Sequence, residues 1–90
     1  MNIGRAIRIC RAARGWTKTE LADRAALGLS TISLVESGRK KLSEKSLFRV
    51  CEALSVPDYV LLAFAAKDIY LVSGRDQYAA LEWLLNVDSR

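Results

Sequence analysis

Apolar residues recur at helical spacing along most of the chain. Ile3, Ile7 and Cys10 fall at positions i, i+4 and i+7, so this pattern predicts an amphipathic helix over residues 2–13. Similar periodicities predict a short helix after residue 17 and further helices over 29–36, 44–54, from about 58, and 74–86. The pattern therefore predicts an all-α fold.

Capping signals mark the ends of several of these helices. Thr17-Lys18-Thr19-Glu20 is a capping-box sequence, and Ser73-Gly74-Arg75-Asp76 has the same form. Gly38 and Pro57 end the third and fourth helices, because glycine adopts the left-handed cap conformation and proline breaks a helix. Residues 69–72 fit two templates, a continuation of the fifth helix or a short strand, and we interpret them as helix.

The composition excludes several classes of protein for this chain. Ninety residues are enough for one domain, and a hydrophobic fraction of 51% with 27% charged residues is typical of a chain that folds. The absence of histidine excludes a Ser-His-Asp triad and a His-ligated zinc site. Cys10 and Cys51 have no metal-site spacing. We therefore expect neither an enzyme nor a cofactor.

Neither a signal peptide nor a membrane segment is expected. The first residues lack the apolar run of a signal peptide. The longest nearly uncharged stretch, residues 58–66, is less than half of the roughly 20 residues that span a membrane. These features predict a cytoplasmic protein with reduced cysteines.

The net charge of +4 is unevenly distributed. Residues 1–49 hold eleven Lys and Arg against four acids, a charge of +7, whereas residues 50–90 hold three against six, a charge of −3. This asymmetry favours a polyanion as the partner of the first half, although a solvated basic face would have the same composition.

The segment TKTELADRAALGLSTISLVESG, residues 17–38, contains two short helices joined by a tight turn. It resembles the DNA-binding domain of bacterial and phage regulators of the Cro/repressor (XRE) type, and the resemblance extends over about residues 3–62. The matching features are Leu21-Ala22, Ile32 and Val35, Glu36-x-Gly38, and Ala53-Leu54-Ser55-Val56 before Leu61-Leu62. The resemblance implies a five-helix lambda-repressor-like bundle with a helix-turn-helix over residues 1–66. The second capping-box sequence and the apolar periodicity after it predict a C-terminal helical extension over residues 67–90.

The resemblance also implies which residues meet DNA. The recognition helix, residues 29–36, would present its outer side chains to base edges in the major groove. The base-contacting candidates are Leu29, Ser30, Ser33 and Leu34. The phosphate-contacting candidates are Thr17, Lys18, Ser37, Arg39, Lys40 and Lys41. The family often has an amide at the base-reading positions and this chain has none, so two outward leucines also fit a protein-binding patch.

Other implied features are structural. Arg11 and Glu36 occupy positions that the family pairs across the bundle, which predicts a partly buried ion pair. Cys10 and Cys51 occupy core positions, where they would act as small hydrophobic residues. The family usually has glycine at the position of Ala26 and a Ser or Thr cap at that of Gly28, so the glycine of the turn stands two residues later here.

A single recognition helix covers few base pairs, and such modules normally pair so that two helices enter successive major grooves about 34 Å apart. The last helix carries apolar residues beyond those that a small core hides. We predict a homodimer held by residues 59–87, with Tyr78, Leu81, Trp83, Leu84 and Leu85 at the interface. The alternative is that this helix packs onto its own bundle.

These features predict a repressor-like, sequence-specific DNA-binding transcriptional regulator that binds an inverted-repeat operator as a homodimer. The alternative function is a protein-interaction module, such as an antitoxin whose apolar surface binds a partner protein.

Overall fold

In a computed structural model, which describes residues 2–66 and 73–87, the regular elements are all helices. The six helices are α1 (Ile3–Ala13), α2 (Lys18–Ala25), α3 (Leu29–Glu36), α4 (Glu44–Leu54), α5 (Asp58–Ala65) and α6 (Gly74–Asn86). The predicted all-α fold is confirmed, and the predicted helix boundaries agree to within a residue or so. The interpretation of residues 69–72 lies outside the described residues.

One core unites the first five helices. Each contributes a fully buried aliphatic residue, and these are Ile7, Leu21, Ile32, Leu54 and Leu61. Burying such a side chain stabilises the fold by about 1.5–3 kcal/mol relative to leaving it exposed. The predicted amphipathic stripes therefore meet in a single cluster rather than in separate ones.

Side-chain caps fix where the helices begin. The Thr17 hydroxyl accepts a hydrogen bond from the Glu20 amide at 3.1 Å, and the Glu20 carboxylate accepts one from the Thr17 amide at 3.0 Å, so the first capping box is complete. Ser73 likewise accepts from the Asp76 amide at 3.1 Å at the start of α6. These bonds satisfy amides that have no partner within their own helix.

Gly4 allows α1 to approach the end of α3 more closely than any other residue would. A Cβ atom at this position would overlap the carbonyl oxygen of Val35, which is backbone and has little room to move. Glycine inside a helix costs about 1 kcal/mol relative to alanine, so its presence here reflects close packing. Sequence analysis did not identify this contact, although an isolated glycine within a helical pattern is its signal.

The last helix packs on the bundle through one face. The Trp83 ring meets Phe64 of α5 edge-on at 6.1 Å between ring centroids, and the Trp83 Nε1 donates to the Ser55 carbonyl at 2.9 Å. Ala80 is buried in the core. Trp83 is one of the residues predicted for a dimer interface, and within its own chain its N–H and its ring edge both find partners.

The other side of α6 is open. Tyr78, Leu81 and Leu85 follow one another at i, i+3 and i+7 on the side opposite Trp83, and each is more than half exposed. Leu84 borders this stripe and is partly exposed. Packing onto the bundle therefore occupies only one face of the helix, and a second apolar face remains.

Arg14 joins α6 to the rest of the domain. Its guanidinium carbon lies 5.7 Å from the ring centroid of Trp16 and 5.7 Å from that of Trp83. Its Nε donates to the Leu54 carbonyl at 2.9 Å, at the carboxyl end of α4, where a cation is favoured by the helix dipole. This cation between two indoles connects α1, α4 and α6 at one point.

Both cysteines are free and buried, as their predicted core positions require. Burial raises the pKa of the Cys10 thiol to about 12, and burial also raises the pKa of Cys51. Because of these raised pKa values, both thiols stay protonated at neutral pH, whereas the thiolate is the reactive form. Within residues 2–66 and 73–87, no helix has the length and apolar character needed to cross a membrane.

Replacing Ala26 with glycine should stabilise the protein. Ala26 ends α2 in the left-handed region, at φ 57° and ψ 44°, which costs a residue with a Cβ roughly 1–2 kcal/mol. We expect Ala26→Gly to raise the free energy of unfolding by about 0.5–1 kcal/mol, measured by urea denaturation.

The control is the same substitution at Ala12, which is exposed and helical within α1. Ala12→Gly should lower the free energy of unfolding, because glycine has a poor helix propensity. Equal effects at the two positions would contradict a specific strain at Ala26.

Candidate nucleic-acid interface

The turn between α2 and α3 sets the direction of α3. Ala26 takes the left-handed conformation, and the amide of Leu27 then donates to the Ala22 carbonyl at 2.9 Å, closing the end of α2. Gly28 adopts an extended conformation, at φ −72° and ψ 148°, and begins α3 without a side-chain cap. The glycine of this turn therefore does not occupy the left-handed position, which alanine fills instead.

The helix α3 has a buried side and an outer side. Ile32, Val35 and Glu36 are buried against the bundle. Leu29 and Leu34 are 48% and 38% exposed, respectively. Ser30 is also exposed, whereas Ser33 is half-buried. The four candidate base-reading residues thus occupy positions 29, 30, 33 and 34 of one helix, with Ser33 the least accessible.

An ion pair holds the end of α3 against α1. The Arg11 Nε lies 2.8 Å from Glu36 Oε2, and its Nη2 donates to Oε1 at 2.9 Å, so the two groups pair in a bidentate manner. The third donor, Nη1, reaches the Trp16 carbonyl at 2.8 Å. The Glu36 side chain is only 2% exposed, so the pair is one of the most enclosed polar features of the described residues.

The electrostatics of this pair favour the folded state at neutral pH. The hydrogen bond to Glu36 raises the pKa of Arg11 above its ordinary value. Because the folded pKa exceeds the unfolded one, this contribution is fully present below the ordinary arginine pKa and is lost only as the pH rises through the folded value. The predicted ion pair is present in the structure, and it operates across the physiological range.

Candidate phosphate contacts lie at the start of α2 and after α3. The Thr17 hydroxyl and Lys18 are exposed where α2 begins, and its first amides have no acceptor within the helix. The basic loop after α3 exposes Arg39, Lys40 and Lys41. These groups suit an anion, since an amide-bearing helix end and free cations both attract phosphate.

Ser37 differs from the other phosphate candidates. Its hydroxyl donates to the Leu34 carbonyl at 3.0 Å, so its proton is already used within the helix end. The Arg39 amide donates to the same carbonyl at 2.8 Å. The oxygen of Ser37 is exposed but accepts rather than donates in this arrangement, which suits a phosphate less well.

Sequence analysis missed a contact that Arg24 of α2 makes with Trp16. The Arg24 guanidinium carbon lies 4.3 Å from the centroid of the Trp16 ring, a cation–π contact between α2 and the segment that precedes it. No periodicity relates these two positions, because they meet only when α2 folds back over the indole. The contact steadies the first helix of the helix-turn-helix.

The chain matches the helix-turn-helix domain family over residues 2–64. This protein is a member of the helix-turn-helix family. The match spans α1 to α5 and so includes the turn, the recognition helix and both flanks, in agreement with the Cro/repressor resemblance.

Helix-turn-helix relatives are named as regulators. Transcriptional regulator ClgR of Mycobacterium tuberculosis (strain CDC 1551 / Oshkosh) is 35% identical over 65 residues, which cover 72% of this chain and 58% of the relative. The competence pilus inhibition repressor of Acinetobacter baylyi is 40% identical over 65 residues, which cover 70% of this chain and 59% of the repressor. The chain thus spans less than two thirds of the length of these curated relatives.

Breaking the Arg11–Glu36 pair should destabilise this helix-turn-helix domain strongly. Arg11→Met leaves the carboxylate of Glu36 buried without its partner, and we expect a loss of about 3 kcal/mol in the free energy of unfolding. Urea denaturation monitored by circular dichroism measures the loss.

Arg8→Met is the matched control, because Arg8 is exposed on the same helix and should change stability by no more than about 0.5 kcal/mol. The double variant Arg11→Met with Glu36→Met should recover much of the loss, since no charge then remains buried. A double variant that loses the sum of two large single effects would contradict this account.

Proposed function

We propose that this protein is a sequence-specific, repressor-like transcriptional regulator that binds double-stranded DNA. The observation that carries the proposal is the division of α3: Ile32, Val35 and Glu36 fix one side, and the outer side stands exposed. A short helix whose inner side is fixed against the bundle and whose outer side is exposed suits the major groove. Membership of the helix-turn-helix family supports the same conclusion.

The proposed base readout relies on small and apolar groups. Ser30 donates to or accepts from several base edges, and Leu29 and Leu34 contact a thymine methyl group. No bidentate side chain stands at these positions, so each contact contributes less than the roughly 1–3 kcal/mol of a bidentate pair. Specificity would then depend in large part on the shape and flexibility of the operator.

Phosphate contacts supply most of the proposed affinity. The Thr17 oxygen accepts from the Glu20 amide, which leaves its hydroxyl proton for a phosphate oxygen. Lys18, Arg39, Lys40 and Lys41 add four exposed cations. Binding should therefore weaken steeply as salt is added, because each neutralised phosphate releases counterions.

We further propose that the regulator binds an inverted repeat as a homodimer through α6. The open stripe of Tyr78, Leu81 and Leu85, bordered by Leu84, offers an apolar surface that a second copy would cover. A helix with apolar residues on both sides favours burial on both sides. Two recognition helices would then reach successive major grooves.

A second function is favoured by one observation. Leu29 and Leu34 are large apolar side chains that stand exposed on α3, and such residues also suit a protein partner. In that case the protein would be an interaction module, such as an antitoxin. A stable complex with a partner protein and no salt-sensitive complex with any operator would support this alternative.

Substitutions should separate phosphate contacts from base contacts. Lys18→Ala and Arg39→Ala should weaken binding to all sequences and reduce the salt slope by about 1 each, whereas Ser30→Ala and Leu34→Ala should change which bases are preferred. Fluorescence anisotropy with the promoter of the protein's own operon, followed over a salt series, measures both effects.

Arg75→Ala is the control, since Arg75 is an exposed cation on α6, away from the helix-turn-helix. It should leave the affinity and the salt slope unchanged. If all five variants behaved alike, the assignment of contacts to α2, α3 and the basic loop would be wrong.

Charges on the open face of α6 should prevent dimerisation. Leu81→Glu with Leu85→Glu would place two carboxylates in the proposed interface, and sedimentation equilibrium should then show monomers. Arg75→Ala again serves as the control and should sediment as the unchanged protein does. A dimer that persists in the double variant would locate the interface elsewhere.

A further inference from the structure

An apolar groove runs along α4 and the turn into α5, and it shares no residue with the proposed DNA surface. Its volume is about 670 Å³. The apolar part of its lining consists of Leu47, Phe48, Cys51, Val56 and Pro57. Phe48 is 64% exposed, which makes it one of the most exposed large apolar side chains of the described residues.

The rim of this groove is acidic. Glu44, Glu52 and Asp58 line it, and an adjoining groove that shares Pro57 adds Glu82. Among the residues that the structure describes, no Lys or Arg lines either groove. The charged residues that line these two grooves are all acids, although the chain has a net charge of +4. Cations lie beyond them, since Glu52 also lines a groove with Arg24 and Arg49, and Leu47 lines one with Lys40 and Lys41.

Two residues of the acidic-rimmed groove do not stabilise the fold. Phe48 exposes an aromatic ring to water instead of burying it. Glu52 lies in the last turn of α4, where the helix dipole disfavours a negative charge. A charge that opposes the stability of its own helix tends to mark a functional position, so Glu52 indicates a role outside the fold. The exposed ring of Phe48 beside it offers an apolar contact.

The charges of the groove restrict what it can bind. Phosphate is repelled by the carboxylates, so nucleic acid is a poor occupant. The apolar stripe of α6 in a second copy is a weaker complement, because the charges beside it, Arg75 and Glu82, cancel and give the acidic rim no net attraction. The occupant that fits the groove best therefore has a surface with both apolar and basic side chains.

We propose that this groove binds an amphipathic segment of another protein, with apolar anchors on one face and Lys or Arg beside them. The anchors would contact Phe48, Val56 and Pro57, in the manner of a helix laid into an apolar groove. The rim acids would orient the segment and speed its association. The residues that line this groove are distinct from the proposed DNA-contacting residues.

A synthetic peptide of about four helical turns tests the proposal with the full-length chain. The probe carries leucines at i, i+3, i+4 and i+7 and lysines on the flanking positions. It should bind saturably by fluorescence anisotropy, and amide chemical shifts should move along the groove. The charge-reversed peptide, with glutamates in place of lysines, should bind at least about tenfold more weakly.

Phe48→Ser and Glu52→Lys should each weaken binding of the lysine peptide by about tenfold or more. Both variants should stay folded by circular dichroism and thermal unfolding, because Phe48 is exposed and a lysine suits the end of α4. Arg75→Ala, on α6, is the control and should bind the peptide as the unchanged protein does.

Three results would overturn the proposal. One is the absence of saturable binding by the folded protein, and another is binding that both variants leave unchanged. The third is that Phe48→Ser converts a homodimer into monomers, which would show that a second copy covers the groove.

Discussion

The guanidinium of Arg11 lies where three parts of the chain meet. It pairs with Glu36 at the end of α3 and donates to the Trp16 carbonyl before α2, so one side chain on α1 connects both helices of the helix-turn-helix. A bidentate pair accepts little change in angle, and the enclosure of Glu36 makes any separation costly. The close approach at Gly4 adds a steric constraint between α1 and α3. The orientation of α3 therefore depends on α1, a helix that carries none of the proposed DNA contacts.

The local part of this fold can be predicted from the sequence. Helix boundaries follow from the apolar periodicity and from hydrogen bonds that span three residues, such as those of the Thr17 capping box. The Arg11–Glu36 pair spans 25 residues, and it could be predicted only because the family resemblance relates the two positions. Leu29, Ser30 and Leu34 also follow from that resemblance, since an exposed position by itself indicates no ligand.

The features that sequence analysis missed arise from tertiary packing. Arg14 is one of many cations in the first half of the chain, and nothing local indicates that two indoles flank it. Trp83 and Leu81 both fit an apolar stripe on α6, and only the position of Phe64 and the Ser55 carbonyl determines which of them turns inward. The left-handed turn at Ala26 is another case, because a family preference for glycine does not reveal what happens when alanine occupies the position.

Arg14 has a consequence for spectroscopy. The chain contains two tryptophans, and both rings lie beside this single guanidinium. Trp16 is buried in the bundle, whereas Trp83 is carried by the last helix. Intrinsic tryptophan emission therefore reports on two places, the joint between the bundle and α6 and the contact of Trp16 with Arg24 of α2. A chain in which α6 detaches while the bundle stays intact would display that event through Trp83, with no label attached.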